Sequence, residues 1–142
     1  MTLPSFWRLP SFSVAETADL VGATEVTFRA WLTRAPHGDF LGTKTSGRIH
    51  FTGREAFYWY LVAQLSAYGV PIRTALCAAA EHATDSLPGH EWLIVKTAGD
   101  VTNFELAEDI PADAAPALIL PLRALAVSLI ERAANVYATE VS

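Results

Sequence analysis

The apolar and polar positions near the start of the chain predict two short helices. Ser13 and Glu16 have the spacing of a capping box, and alanine, leucine and valine then form an apolar side that ends at Gly22. Thr24 is suited to cap a second helix, which we expect to stop before Pro36. The pattern therefore predicts a helix, a tight turn and a helix.

The following residues lose the helical period. Gly38, Gly42 and Gly47 divide residues 40–51 into short stretches that alternate between apolar and polar side chains. Alternation with glycine between the stretches is typical of a β-hairpin. We expect the hairpin to have a polar, basic tip.

Two further helices are predicted after the hairpin. Thr52 begins a second capping box, and the helix that it opens should run through Tyr68 and close at Gly69. The apolar stripe of this helix is predicted to consist of Phe57, Tyr60, Leu61, Gln64, Leu65 and Tyr68. Pro71 suits the first turn of a fourth helix, which we expect over residues 72 to about 84.

The second half of the chain predicts a small sheet and one helix. Residues 91–96, 101–106 and 117–120 have the composition of strands, with a turn at 98–100. Pro121 then suits the start of a final helix with one apolar face. Together the patterns predict an α+β fold in which a winged helix-turn-helix domain, residues 1–85, is followed by a small sheet and helix domain, residues 90–142.

Charge divides the two halves. The net charge is −5, but residues 1–75 contain seven basic side chains against five acidic ones, whereas residues 76–142 contain three against ten. Such asymmetry is expected when one part of a protein meets phosphate and the other meets water or protein.

Several function classes find no support in the sequence. The single Cys77 allows no intrachain disulfide and no thiolate cluster for zinc, and we expect it to be a small buried side chain. The four histidines are scattered, and no nucleophile elbow or phosphate-binding glycine loop occurs. We therefore expect no catalytic residues, no metal, no cofactor and no enzyme activity.

The sequence also predicts the compartment. The N-terminus lacks the apolar run of a signal peptide, and the apolar residues 117–136 are interrupted by Pro121 and by charged side chains. We expect no membrane span and a cytoplasmic, nucleoid-associated protein.

Four segments in one order resemble a known family. They are residues 12–22, the run Thr27-Phe28-Arg29-Ala30-Trp31, the run from Gly47 to Thr52, and residues 65–69. The sequence over about residues 12–80 is similar to the DNA-binding head of MerR-type regulators. The metal-sensing cysteines and the long coiled-coil dimerisation helix of that family are missing from this chain.

The resemblance implies a role for the second helix and the hairpin on double-stranded DNA. The second helix would enter the major groove, with Val26, Phe28 and Leu32 turned to the core, and Arg29 would contact a guanine edge or a phosphate. The alternative for Arg29 is an ion pair with Glu25 on a solvated face. For Lys44 the alternative is a solvated loop lysine. The candidate DNA-binding residues are Thr24, Glu25, Thr27, Arg29, Thr33, Arg34, Lys44, Thr45, Arg48 and Arg54.

The apolar face of the final helix is predicted to hold two copies of the chain together. One winged helix contacts few base pairs, so a homodimer that reads two half-sites is expected. The candidate dimer or partner interface consists of Leu122, Leu125, Leu129, Ile130 and Val136.

The sequence leaves three functions open. The first is a transcriptional regulator of a bacterial or prophage-like gene cluster, an activator or a repressor, which could also contact RNA polymerase or another regulatory protein. The second is an excisionase-like or architectural DNA-bending protein of a mobile element. The third is an adaptor that binds only proteins.

Overall fold

The computed structural model of the chain describes residues 2–35, 39–110 and 116–141. Within these ranges the fold is α+β, with five α-helices and two small antiparallel sheets of three strands each. The expected helix stop at Pro36 and the glycine at position 38 lie outside the described residues. In chain order the elements are β1 (Phe12–Ser13), α1 (Val14–Val21), α2 (Glu25–Arg34), β2 (Thr43–Thr45), β3 (Arg48–Phe51), α3 (Gly53–Ala67), α4 (Ile72–His82), β4 (Trp92–Ala98), β5 (Val101–Ala107), β6 (Leu118–Pro121) and α5 (Leu122–Val141).

The predicted starts of the first three helices are confirmed. Ser13 and Glu16 form the complete capping box of α1, and Gly22 ends that helix at a φ of 80°. The Thr24 hydroxyl accepts a hydrogen bond from the Thr27 backbone N–H at the start of α2. Thr52 and its capping-box partner likewise open α3. Side chains that satisfy the free N–H groups of a first turn fix where each helix begins.

The first sheet contains a strand that the sequence pattern did not predict. Its order is β1-β3-β2, so the two-residue β1 pairs with β3 beside the predicted hairpin of β2 and β3. The hairpin turns at Ser46 and Gly47, whose φ angles are 52° and 80°. Positive φ at both central residues is the geometry of a type I′ turn, which matches the twist of the two strands.

The buried surface of α3 extends beyond the apolar stripe that was predicted for it. Tyr58, Trp59 and Val62 are buried although the stripe excluded them, while Tyr68 is exposed. The reason is position, because α3 packs against α1, α4 and α5 and against a short 3₁₀ helix, Ser5–Trp7. A helix that is covered by neighbours on several sides has no single apolar face.

Cys77 corrects another expectation. The prediction placed it among buried side chains, but it is exposed on α4. The residues on either side of it, Leu76 and Ala78, are buried against α3. Arg73 and Glu81, four residues before and after Cys77, are exposed on the same side of α4, and this polar stripe was the signal that the prediction did not use.

The second sheet and the last helix follow the predicted order. β4 is the central strand, with β5 on one side and β6 on the other, and both pairs are antiparallel. Gly99, at a φ of 62°, lies in the turn between β4 and β5. Pro121 is the last residue of β6, and α5 begins at Leu122.

The predicted dimer face of α5 is instead covered by the chain itself. Leu122, Leu129 and Ile130 are buried, and Leu125 and Val136 are partly buried against the same core. α5 packs against α1 and α3, and the ring of Tyr137 lies 5.5 Å from that of Phe6 near the N-terminus. Leu122, Leu129 and Ile130 are therefore core residues of the single chain and are not available to a partner, whereas Leu125 and Val136 keep part of their surface accessible.

The buried side chains of both halves form one continuous cluster. The final helix therefore contributes to the same core as the predicted DNA-binding residues 1–85. Among the described residues, no helix has both the length and the apolar character that crossing a membrane requires.

Candidate nucleic-acid interface

Aromatic side chains fix α2 relative to the hairpin. Phe28 of α2 is fully buried, and its ring centroid lies 5.4 Å from that of Phe51 on β3 and 5.4 Å from that of Trp59 on α3. The ring of Trp31 stacks nearly parallel to that of Trp59, with centroids 6.5 Å apart. Tilted and edge-on ring pairs of this kind add packing energy to the apolar area that they bury. The exposed side of α2 is thus held in one position beside the hairpin.

The exposed side of α2 contains all of the candidate DNA-binding residues that were predicted for this helix. Glu25, Thr27, Arg29, Thr33 and Arg34 are exposed, as is the capping residue Thr24. Of the side chains predicted to face the core, Phe28 is buried and Leu32 is half-buried.

Val26 does not face the core as expected. Its exposed fraction is 81%. Two residues along an α-helix correspond to about 200° around its axis, so a buried Phe28 turns Val26 outwards. Valine and phenylalanine at this spacing cannot both face one core.

The hydroxyl groups of α2 are largely engaged within the helix. Thr24 Oγ1 lies 3.0 Å from Thr27 Oγ1 and also accepts the Thr27 N–H. Thr33 donates its hydroxyl hydrogen to the carbonyl oxygen of Ala30, at 2.8 Å. Local bonds of this type stabilise the helix start and compete with any external partner.

Arg29 makes the ion pair that was its alternative role. Its Nη2 lies 3.3 Å from Oε1 of Glu25, one turn earlier, and the two side chains remain 59% and 48% exposed. Exposed pairs of this spacing contribute only about 0.3–0.5 kcal/mol. The guanidinium keeps other N–H donors and can exchange this partner at small cost.

Arg29 and Arg48 line the same open cleft. The cleft has a volume of about 360 Å³ and lies between the start of α1, the first turns of α2 and the hairpin. Its lining residues are Ser13, Val14, Ala15, Glu25, Arg29, Gly47, Arg48 and Ile49. Two arginines face one acidic side chain there, so the cleft has a positive balance.

The other basic residue of the hairpin lies on the adjacent strand. Lys44 on β2 is exposed and pairs across the strands with Ile49, which lines the cleft. Thr45 is exposed and pairs with Arg48. Directly opposite residues of an antiparallel pair share one face of the hairpin. Successive residues of a strand point to opposite faces, so Thr45 and Arg48 lie on one face near the tip and Lys44 lies on the other.

Arg54 does not belong to this cleft. Its Nε donates a hydrogen bond to the carbonyl oxygen of Ala83, at 2.8 Å, and lies 3.7 Å from a carboxylate oxygen of Asp85. Its guanidinium carbon also lies 5.0 Å from the ring centroid of Phe40. These contacts fasten the start of α3 to the end of α4 and hold Arg54 outside the cleft of Arg29 and Arg48.

The sequence pattern missed the part of the cleft that α1 provides. Ser13, Val14 and Ala15 reach it because β1 pairs with β3, with Ser13 opposite His50. A strand of two residues has no period that can be detected. The serine and glycine at the hairpin turn were the available signal for the position of the tip.

No protein-family model matches the sequence, and no match was found among the curated proteins or among the solved structures.

Proposed function

We propose that this protein is a sequence-specific DNA-binding transcriptional regulator whose first half is a MerR-like winged helix-turn-helix. The observation that carries the proposal is the shared cleft of Arg29 on α2 and Arg48 on the hairpin. In the proposed complex α2 lies in the major groove and the hairpin is the wing.

The dimensions of α2 suit this role. Its ten residues form almost three turns, and an α-helix with its side chains is about 10–12 Å in diameter, which fits the major groove of B-DNA, about 12 Å wide. Only Phe28 of this helix is fully buried, so most of its circumference is accessible to a ligand. The hairpin beside the helix would then follow the phosphate backbone.

The distribution of charge supports the same orientation. Arg29, Arg34, Lys44 and Arg48 are exposed on α2 and the hairpin. The acidic excess of the chain lies after residue 75. Phosphates would be attracted to the basic side chains of α2 and the hairpin and repelled by the acidic residues after position 75. These two effects would orient the protein on the duplex.

The second half stabilises the proposed DNA-binding half. α5 packs against α1 and α3, and α1 in turn contacts α2 and β3. Rigid support of this kind is required if recognition side chains are to be held in position.

Binding of the full-length protein to fragments of genomic DNA tests the proposal. We expect binding at low salt that weakens as salt increases, with a preference for a subset of fragments, because phosphate neutralisation releases counterions. A variant in which Arg29 and Arg48 are both alanine should bind weakly to all fragments. Absence of binding at low salt would contradict the proposal. Transcript profiling after depletion of the protein tests its regulatory part, because a regulator should change the transcription of a set of genes.

A further inference from the structure

Val26 is the most exposed large apolar side chain in the described part of the chain. It stands on the side of α2 that is turned away from the buried Phe28. Ala30, one turn later, is exposed on the same side and is too small to cover it. The valine methyl groups are therefore directed into solvent in the middle of the proposed interface.

Folding does not explain a valine at this position. A β-branched side chain loses rotamer freedom in a helix, and an exposed one buries little apolar area in return. The packing of α2 depends on Phe28, Trp31 and Leu32, which contact the core. The position is consequently free to serve a contact outside the chain.

The threonines beside Val26 are partly engaged within α2. Thr33 donates its hydroxyl hydrogen to the carbonyl oxygen of Ala30, and Thr27 Oγ1 accepts that of Thr24. Thr33 could donate to a base only by giving up its bond, whereas Thr27 keeps a hydroxyl hydrogen to donate. Val26 has no polar atom in its exposed side chain and adds an apolar contact beside them.

The surrounding charges identify the occupant as DNA. Arg29 and Arg34 are exposed on the same helix, and Lys44 and Arg48 on the adjacent hairpin. Duplex DNA matches this arrangement, because phosphates border the major groove and thymine places its C5-methyl group on the groove floor. An apolar protein surface would offer no anionic groups to these side chains.

We propose that Val26 is a specificity-determining residue that contacts the methyl group of thymine. This inference rests on the proposed function and assigns to α2 a preference for thymine at one or two positions of the site.

Deoxyuridine in place of thymine tests the inference, because it removes the methyl group and keeps base pairing. The preferred duplex is first selected from random sequences with the full-length protein, and each thymine is then replaced in turn. We expect binding to weaken roughly fourfold where a methyl group meets Val26, since one buried methyl contributes about 0.8 kcal/mol. Val26→Ala should bind the duplex with thymine and the duplex with deoxyuridine at that position equally well.

Val101→Ala is the matched control, because Val101 on β5 is 58% exposed and lies outside the proposed interface. This variant should keep the full effect of deoxyuridine. Val26→Thr, which retains one methyl group, should keep part of it. Circular dichroism confirms that each variant is folded.

The outcomes separate this inference from the proposed function. Salt-sensitive DNA binding that no deoxyuridine weakens, or a deoxyuridine effect that persists in Val26→Ala, would overturn the role of Val26 and leave the DNA-binding function intact. A change in self-association of Val26→Ala without any change in DNA binding would overturn it in favour of a protein contact. Absence of DNA binding by the unchanged protein would overturn both.

Discussion

The guanidinium carbon of Arg132 on α5 lies 5.0 Å from the ring centroid of Tyr60 on α3. The same guanidinium donates a hydrogen bond to the carbonyl oxygen of Leu20 near the end of α1. Beneath these contacts, Leu129 and Ala133 are buried in the common core. One side chain thus connects the last helix with two helices of the proposed DNA-binding half.

Leu129→Ala should destabilise the whole protein. Leu129 is 1% exposed, so its truncation leaves a cavity, and we expect the free energy of unfolding to fall by about 2–5 kcal/mol. Urea denaturation followed by tryptophan fluorescence measures the change. Leu9→Ala, at a side chain that is 57% exposed, should change it by less than about 0.5 kcal/mol. A chain that ends at residue 85 and unfolds at the same urea concentration as the full protein would contradict the shared core.

Gly42→Ala should disturb the hairpin through two separate effects. Gly42 has a φ of 81°, and an added Cβ would lie 2.6 Å from Cγ2 of Ile49 and 3.0 Å from the carbonyl oxygen of His50. The backbone conformation costs about 1–2 kcal/mol and the crowding about 1–3 kcal/mol. Thermal unfolding should therefore show a large decrease in Tm.

Gly47→Ala is the control for the crowding effect. Gly47 has nearly the same φ, 80°, and nothing lies within 4 Å of its added Cβ. Only the backbone cost of about 1–2 kcal/mol applies there. Equal losses of stability in the two variants would show that the contact with Ile49 and His50 is not important.

Local chemistry made much of the fold predictable. Ser13, Thr24 and Thr52 each satisfy a backbone N–H group three residues later, so the helix starts can be identified from side chains that are close in sequence. The continuous apolar run of β4 and the turn at Gly99 can likewise be recognised from neighbouring residues. Such features need no information on the rest of the chain.

Apart from Val26 and the cysteine of α4, where the helix geometry alone was decisive, the predictions that failed depend on contacts that are distant in sequence. Which side of α3 is exposed depends on α5, more than fifty residues later. The apolar face of α5 suggested a second copy of the chain, whereas α1 and α3 cover it. For the candidate site, the exposure of Arg29 and Arg48 could be predicted from their positions in the sequence, but the contacts of Arg54 could not. The carbonyl of Ala83 that binds Arg54 lies 29 residues away.

Acid should lower stability in part through His82. Burial lowers the pKa of His82 below its ordinary value of 6.5, and the nearby carboxylates of Glu81 and Glu91 oppose this shift. Since the unfolded chain then binds the proton more readily, the stabilising contribution is present above pH 6.5 and decreases as the pH falls. Tm measured between pH 7.5 and 5 should decrease less in His82→Gln than in the unchanged protein. The same decrease in both, or a histidine pKa above 6.5 by NMR, would contradict this prediction.

Arg48→Ala should weaken DNA binding uniformly. A phosphate contact from the hairpin carries no sequence information, so we expect equal losses on preferred and random DNA. The slope of log affinity against log salt should fall by about one. Arg73→Ala is the control, because Arg73 is exposed on α4 and does not line the cleft. An equal loss of affinity in Arg73→Ala would show that both arginines act through general electrostatic attraction and that Arg48 makes no specific phosphate contact.

Arg29→Ala should reduce specificity. If Arg29 reads a guanine edge, its loss costs about 1–3 kcal/mol on the preferred site and much less on random DNA, because only the preferred site offers both acceptor atoms. Glu25→Gln removes the partner that holds Arg29 in the free protein, 3.3 Å away, and should strengthen binding because the cleft then contains no acidic group. Arg34→Ala, at another exposed arginine of α2, controls for charge alone. Fluorescence anisotropy on both duplexes measures all three variants. Equal losses on the two duplexes in Arg29→Ala would assign Arg29 to a phosphate, and specificity would then depend on the apolar contact of Val26.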